Sequence, residues 1–288
     1  MNTNKKGILL AILAAALYAI STPISKLLLV EIPSPLLAAF LYLGAGIGMS
    51  VIGIARKANG KVSEEAKLER SDLPYVIAMI VLDIAAPILL LLGLSTATPE
   101  NVSLLNNFEI VATTLIAFLF FGEKISKRLG VAIGLIALAS VILSFEGSEA
   151  LTFSVGSLFV LAAACCWGLE NNCTRKLSSK DPLQIVIVKG FCSGAGSQII
   201  GITLGEKITN YWYVVAALVL GFVAYGLSIF TYVYAQRMIG AARTSAYYAI
   251  APFIGSTLSL LLFPKLPHVI FFVAVLVMGV GSYLASKE

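Results

Sequence analysis

Apolar residues in this chain neither alternate nor keep to one helical face; they gather into runs of roughly 20, the length a helix needs to cross about 30 Å of hydrocarbon. Ten such runs are read at residues 7–29, 34–55, 73–94, 101–121, 127–145, 154–172, 182–204, 212–238, 241–263 and 267–286. Most links between them hold fewer than ten residues, so successive helices are expected to lie antiparallel, and only 56–72 is long and charged. Lys5 and Lys6 imitate the opening of a signal peptide, but the run behind them is about 23 residues long without a convincing cleavage site, so it is read as a retained helix.

Composition agrees with the runs. Of 288 residues, 59% are hydrophobic and 12% charged, with a mean hydropathy of +0.94, whereas a soluble domain carries about 25% charged residues. The expected surroundings are a lipid bilayer. A pI of about 9.0 raises the question of nucleic acid, but the basic residues sit in the links, where topology accounts for them. Sixteen of the twenty Lys and Arg fall on one side of the runs, among them Lys5, Arg56, Lys61, Lys124, Arg175 and Arg237. Lys207 and Lys265 fall on the other side, and Lys26 and Lys189 lie inside runs. By the positive-inside rule both termini are expected in the cytoplasm, with the plasma membrane as host. Cys165, Cys166, Cys173 and Cys192 have neither disulfide nor zinc spacing and are read as small packing residues.

The chain overlays on itself. Gly7, Tyr18, Lys26 and Pro33 fall on Gly156, Trp167, Arg175 and Pro182 at an offset of 149, and later Ile110 and Phe121-Gly122-Glu123 fall on Pro252 and Phe263-Pro264-Lys265 at 142. With five helices in each half, the second half is expected to be inverted. The expected fold is therefore all-α and integral to the membrane: ten transmembrane helices as two inverted five-helix repeats, residues 1–148 and 149–288. Inverted repeats place a site near the midplane between the halves and permit alternating access.

Both halves resemble the EamA-type repeat of the drug/metabolite transporter (DMT) superfamily. The resemblance rests on an aromatic, a polar stretch and a basic residue in the first helix, Tyr18 to Lys26, and Trp167-Gly168 with Asn171, Asn172 and Arg175. It rests also on Leu104-Leu105-Asn106-Asn107-Phe108-Glu109 running to Phe121-Gly122-Glu123, and on Ile239-Gly240-Ala241-Ala242-Arg243-Thr244-Ser245 running through Ala251-Pro252-Phe253 to Phe263. It implies a ten-helix basket with the fifth and tenth helices peripheral and the others around a central cavity. Ile110 stands where a proline often follows the glutamate, and Lys265 where Glu123 could have recurred, so the halves need not share one chemistry.

Ionisable groups inside spans cost about 2.5–3.5 kcal/mol on insertion scales and are functional candidates by default. Besides Lys26, near the end of the first run, the candidates are Asp83, Glu109, Glu170 and Lys189. At about 1.5 Å per residue, Asp83 and Glu109 fall near mid-membrane, while Glu170 and Lys189 share a depth nearer the basic side and are expected to pair, as a structural bond or an inner gate. Glu109 can contact substrate, relay a proton, or be capped by binding helix backbone or Asn106; Asp83 can face water or lie protonated between helices. Tyr18, Tyr42, Trp167, Tyr225, Tyr232, Tyr247 and Tyr248 offer aromatic faces to an ammonium group or simply fill space or sit at the interface belt. Glycines four apart, Gly130 with Gly134 and Gly190 with Gly194, let backbones approach, within the chain or across a homodimer. Pro23 and Pro252 interrupt their helices, as kinks or as breaks that expose carbonyls.

These readings favour a secondary transporter for a small polar, zwitterionic or cationic metabolite, an amino acid or amine-like solute, with proton coupling or exchange both open. A channel, a scaffold and an intramembrane enzyme are the alternatives. The sole histidine, His268, lies at the outer end of the tenth run, and neither HExxH nor a P-loop is present, so neither catalysis nor any metal or other cofactor is expected.

Overall fold

The computed structural model describes residues 3–60, 65–122, 125–146, 152–239, 244, 247–263, 267–285 and 287. Lys61, Ser63, Glu123, Lys124, Ser148, the 240–243 stretch, Ser245 and Pro264-Lys265 lie outside the described residues.

The first run is not one helix. Pro23 lacks an N–H and crowds the carbonyl four residues back, so α1 (Thr3–Ala19) stops and α2 (Ser21–Leu28) starts afresh. After α3 (Ser34–Ala58), a single 3₁₀ turn at Arg70–Asp72 leads into α4 (Leu73–Thr96), which continues through Pro87. The fourth run is also divided, into α5 (Pro99–Leu105) and α6 (Phe108–Phe121). Asn106 and Asn107 stand at that joint, where backbone bonds shorten to the i−3 type: Asn107 N to Leu104 O and Glu109 N to Asn106 O, each 3.0 Å. Gly122 at φ +67° closes α6 in a left-handed turn.

Helix α7 (Lys127–Leu143) is capped by Ser126 and ends before the run predicted to reach 145. Phe145–Glu146 and Thr152–Phe153 instead form strands β1 and β2, paired antiparallel where the halves join. Helix α8 (Val155–Leu177) outlasts its predicted end at 172, and α9 (Pro182–Thr203) follows. The eighth run comprises α10 (Tyr211–Gly221), a π-helical stretch Phe222–Leu227 and α11 (Ser228–Ile239). Pro252 lies in the first turn of α12 (Ala251–Leu262), where no N–H is needed, just after a turn at Ala249–Ile250. Helix α13 (Val269–Ala285) completes the described set.

Each helix packs chiefly on one from the opposite half: α1 on α11, α3 on α9, α4 on α8, α5 on α12, and α7 on α13. Exchanging the halves maps this scheme onto itself. The glycines show it at atomic scale, since a Cβ on Gly7 would lie 2.6 Å from Ile239 and 3.0 Å from Met238, and one on Gly156 would lie 2.6 Å from Thr96 and 3.0 Å from Ala97. Gly7 and Gly156 are equivalent at offset 149; Thr96-Ala97 and Met238-Ile239 are equivalent at 142.

Gly190 and Gly194 pack within the chain, against Gly46 and Leu43, whereas no neighbour lies within 4 Å of a Cβ at Gly134. Large apolar side chains such as Val30, Phe120, Trp212 and Leu276 point outward, a surface suited to hydrocarbon rather than water. Among the described residues, six helical stretches are long and apolar enough to cross a membrane: Lys5–Leu28, Ser34–Ala58, Arg70–Thr96, Pro99–Phe120, Pro182–Thr203 and Tyr211–Ile239. Ala251–Leu262 and Val269–Ala285 are shorter apolar helices.

Candidate functional site

Three polar groups lie along the contact between the halves. In the first, Lys189 Nζ of α9 lies 2.7 Å from Glu170 Oε1 of α8 and 3.1 Å from Asp83 Oδ2 of α4. Asp83 is 1% exposed, Glu170 and Lys189 4% each. Because α8 runs on to Leu177, Glu170 sits seven residues from its end, matching Lys189 seven residues into α9. The sequence had paired Lys189 with Glu170 alone; Asp83 is the added partner. Asp83 Oδ2 meets the ammonium as an ion pair rather than an aligned hydrogen bond, while Oδ1 accepts from the Tyr42 hydroxyl at 2.9 Å. Thr174 donates to Glu170 Oε1.

The second group centres on Glu109. Gly168 lets α8 approach α6 so closely that a Cβ there would lie 2.6 Å from Ala112 Cβ. That approach sets Asn171 Nδ2 2.5 Å from Glu109 Oε1 and 3.3 Å from Thr113 Oγ1, while Asn172 Nδ2 donates to the carbonyls of Thr113 (3.1 Å) and Gly168 (2.8 Å). The described carboxylate bond of Glu109 is to Asn171, whereas Asn106 offers its backbone carbonyl to Glu109 N.

The third is a chain of tyrosines. Ring centroids are separated by 4.9 Å for Tyr232–Tyr248, 5.9 Å for Tyr248–Tyr18, 6.0 Å for Tyr18–Tyr225 and 5.2 Å for Tyr225–Tyr42, which reaches Asp83. Tyr225 belongs to the π-helical stretch, a deviation that recurs at functional positions. Trp167 is buried in the apolar core. Beside Tyr18, the α1–α2 break, the α5–α6 joint and the start of α12 enclose a cavity of about 10 Å³, lined by Thr22, Ser103, Asn106 and Gly255 among others, close to the ~10–15 Å³ one water needs. Among the described residues, Ser103 Oγ and Asn106 Oδ1 are buried there without a hydrogen-bond partner.

Both ends of the bundle are fastened. On the basic face Lys180 Nζ lies 3.1 Å from Glu69 and 3.2 Å from Asp72, Arg237 lies 2.5 Å from Glu65 and also donates to the Lys180 carbonyl, and Asp181 N donates to Ala66 O at 2.8 Å. This stitches the 65–72 segment of the first half to the second. The Lys180 ammonium is pushed up from the ordinary lysine value, first by its hydrogen bond to Glu69, against some desolvation. On the opposite face Lys26 Nζ caps α4, donating to the carbonyls of Leu94, Ser95 and Ala97.

Sequence reasoning passed over three contributors. Tyr42 was listed only among aromatics, Asn171 only as part of the repeat pattern, and Pro87 not at all. Pro87, four residues after Asp83, cannot donate to the Asp83 carbonyl; a proline one turn beyond a buried acid is a signal that was available.

A helical bundle with an apolar outer surface and buried charges at the contact between two related halves defines a multi-pass membrane protein, and the comparisons say which kind. The EamA-like transporter family matches residues 5–145 and 154–287. The chain belongs to that family, within the drug/metabolite transporter superfamily, and is a membrane transporter. It is 27% identical over 269 residues, covering 87% of this chain and 77% of the relative, to an uncharacterized transporter of Methanothermobacter thermautotrophicus. A solved crystal structure with 18% identity aligns over 98% of this chain and 96% of its own at a TM-score of 0.70, which shows a shared fold.

Proposed function

We propose that the protein is a secondary transporter that carries a small zwitterionic or cationic metabolite, an amino acid or amine, by alternating access. In this reading all ten apolar runs span the bilayer, residues 1–148 and 149–288 are the inverted halves, and the basic face is cytoplasmic with both termini. The exchange-invariant helix pairing supports a two-fold relation between the halves, and five helices in each half make that relation an inversion. The observation that carries the substrate class is the Glu109 region, a partly buried carboxylate bonded by a neutral amide, with Tyr18 and Tyr248 in contact nearby and the unpartnered Ser103 Oγ and Asn106 Oδ1 in the adjoining cavity. A substrate ammonium would take Glu109 and the tyrosine faces, and its polar remainder would take Ser103 and Asn106. The small cavity fits an occluded state, and the Lys180–Glu69 fastening between the halves holds the basic end shut.

The test is a thermal-stability screen of purified protein across amino acids, amines, nucleosides and sugar phosphates, followed by counterflow in proteoliposomes with each stabilising solute. An amine-bearing solute that stabilises and shows trans-stimulation supports the reading. Stabilisation only by sugar phosphates rejects the substrate class, and flux without trans-stimulation rejects the carrier.

A further inference from the structure

The charges around Asp83 do not balance. Two carboxylates, Asp83 and Glu170, share one ammonium, Lys189, in a setting where each residue is at most 4% exposed. Formally the cluster is one negative charge in excess. An uncompensated charge in a closed, low-dielectric site costs several kcal/mol, so the closed arrangement is neutral only when the two carboxylates hold one proton between them. The groups that face Asp83 are Tyr42 from α3, Tyr225 from the π-helical stretch, Glu170 and, beyond it, Cys173 from α8, Lys189 from α9, and Glu109 from α6. Lys26 and Glu100 lie at the far end of α4, and Arg175 and Lys176 at the exposed end of α8.

A metal cation does not suit the site. The ammonium already lies between the two carboxylates, Tyr42 donates to the other oxygen of Asp83, and Thr174 donates to the same Glu170 oxygen that meets Lys189. The cluster also spans the moving parts, with α3 and α4 from one half and α8 and α9 from the other.

We propose that the Asp83–Glu170–Lys189 cluster, not Glu109, is the proton-coupling site of the transporter. The proton enters from water on one side while the cluster is hydrated, neutralises the pair of carboxylates, and so permits the halves to close. Reopening to the other side rehydrates the cluster and releases the proton there. The proton binds the closed state more tightly than the open one, and that difference in affinity is what couples it to the cycle. Glu109 is left to hold the substrate, so the inference rests on the transporter reading only for what the proton drives.

Two measurements test it, neither needing an identified substrate. In a background without native cysteine, Ser103→Cys reports cavity access through its rate of reaction with an impermeant maleimide, corrected for intrinsic thiol reactivity. The corrected rate is expected to rise with pH by up to roughly tenfold per unit over the titrating range, as one proton requires. Asp83→Asn, and separately Glu170→Gln, are expected to flatten this dependence at the slow, closed-state rate, while Glu109→Gln leaves it in place. Infrared difference spectra of purified protein titrated from acid to alkaline pH provide the second readout, in which a protonated-carboxyl band is expected to be lost in Asp83→Asn or Glu170→Gln and retained in Glu109→Gln. Persistence of both signals in Asp83→Asn and Glu170→Gln, or their loss in Glu109→Gln alone, overturns the proposal. A protein that titrates as expected yet shows no counterflow refutes the carrier and leaves the proton site standing.

Discussion

Replacing Lys189 with methionine keeps most of the side chain's length and deletes the one counter-charge that, among the described residues, lies between Asp83 and Glu170. Removing one partner of a buried pair costs about 3–5 kcal/mol, and a proton taken up by the carboxylates would bring the cost toward the lower end of that range. Glu170→Gln is milder, about 1–3 kcal/mol, because Lys189 keeps Asp83 at 3.1 Å. In the double variant the surviving Asp83 retains Tyr42 as a donor, and the losses should fall short of their sum by about 0.5–3 kcal/mol. Reversible unfolding in mixed micelles of graded detergent denaturant, followed by circular dichroism, gives all three values in one medium. Additivity within about 0.3–0.5 kcal/mol would show that the two residues do not interact and would refute the cluster.

Gly190→Val places a side chain into the Gly46 backbone and should destabilise by about 1–3 kcal/mol or more, read in the same unfolding assay; a neutral effect would deny the α3–α9 contact. Lys26→Met uncaps the carbonyls of Leu94, Ser95 and Ala97 and should cost about 1.5–3 kcal/mol, with faster amide exchange at the end of α4. Lys180→Ala should loosen the basic face, speeding tryptic cleavage within 65–72. Because the Lys180 ammonium is held above its ordinary value, its contribution is complete below the usual lysine range of about 10.4 and fades only as pH rises through the folded value. Proteolysis of the unmodified basic face is therefore expected to show no lysine-linked change near neutral pH. Glu109→Gln should weaken binding of a stabilising amine by roughly tenfold or more, corresponding to about 1.5–3 kcal/mol for a charged hydrogen bond, measured by calorimetry.

Much of the bundle could be read from hydropathy because length and apolarity are what a bilayer selects. The breaks were legible in part. Pro23 marks its own, since a missing N–H acts locally, but the Asn106–Asn107 joint and the π-helical stretch at Phe222–Leu227 arise from packing between halves and leave no comparable mark. The strand pair takes Phe145 from the end of a run that reads as helix, and Glu146 and Thr152–Phe153 from the link behind it. Depth counting brought Glu170 and Lys189 to one level, because depth follows from rise per residue. It could not bring in Asp83 or Asn171, because rotation about the helix axis and the choice of neighbour depend on contacts such as Gly168 on Ala112 that lie 56 residues apart in the chain.

Alternating access, the central claim, is tested most directly by the reactivity of a single cysteine at position 103 in oriented vesicles. Impermeant maleimide is applied from one face at a time, with and without the Lys180→Ala change that releases the basic face. The account predicts that position 103 is reachable from either face, and that Lys180→Ala raises labelling from the basic face while lowering it from the opposite one. Labelling that rises from both faces together would describe a pore, and labelling from neither would leave no transport path through the contact between the halves.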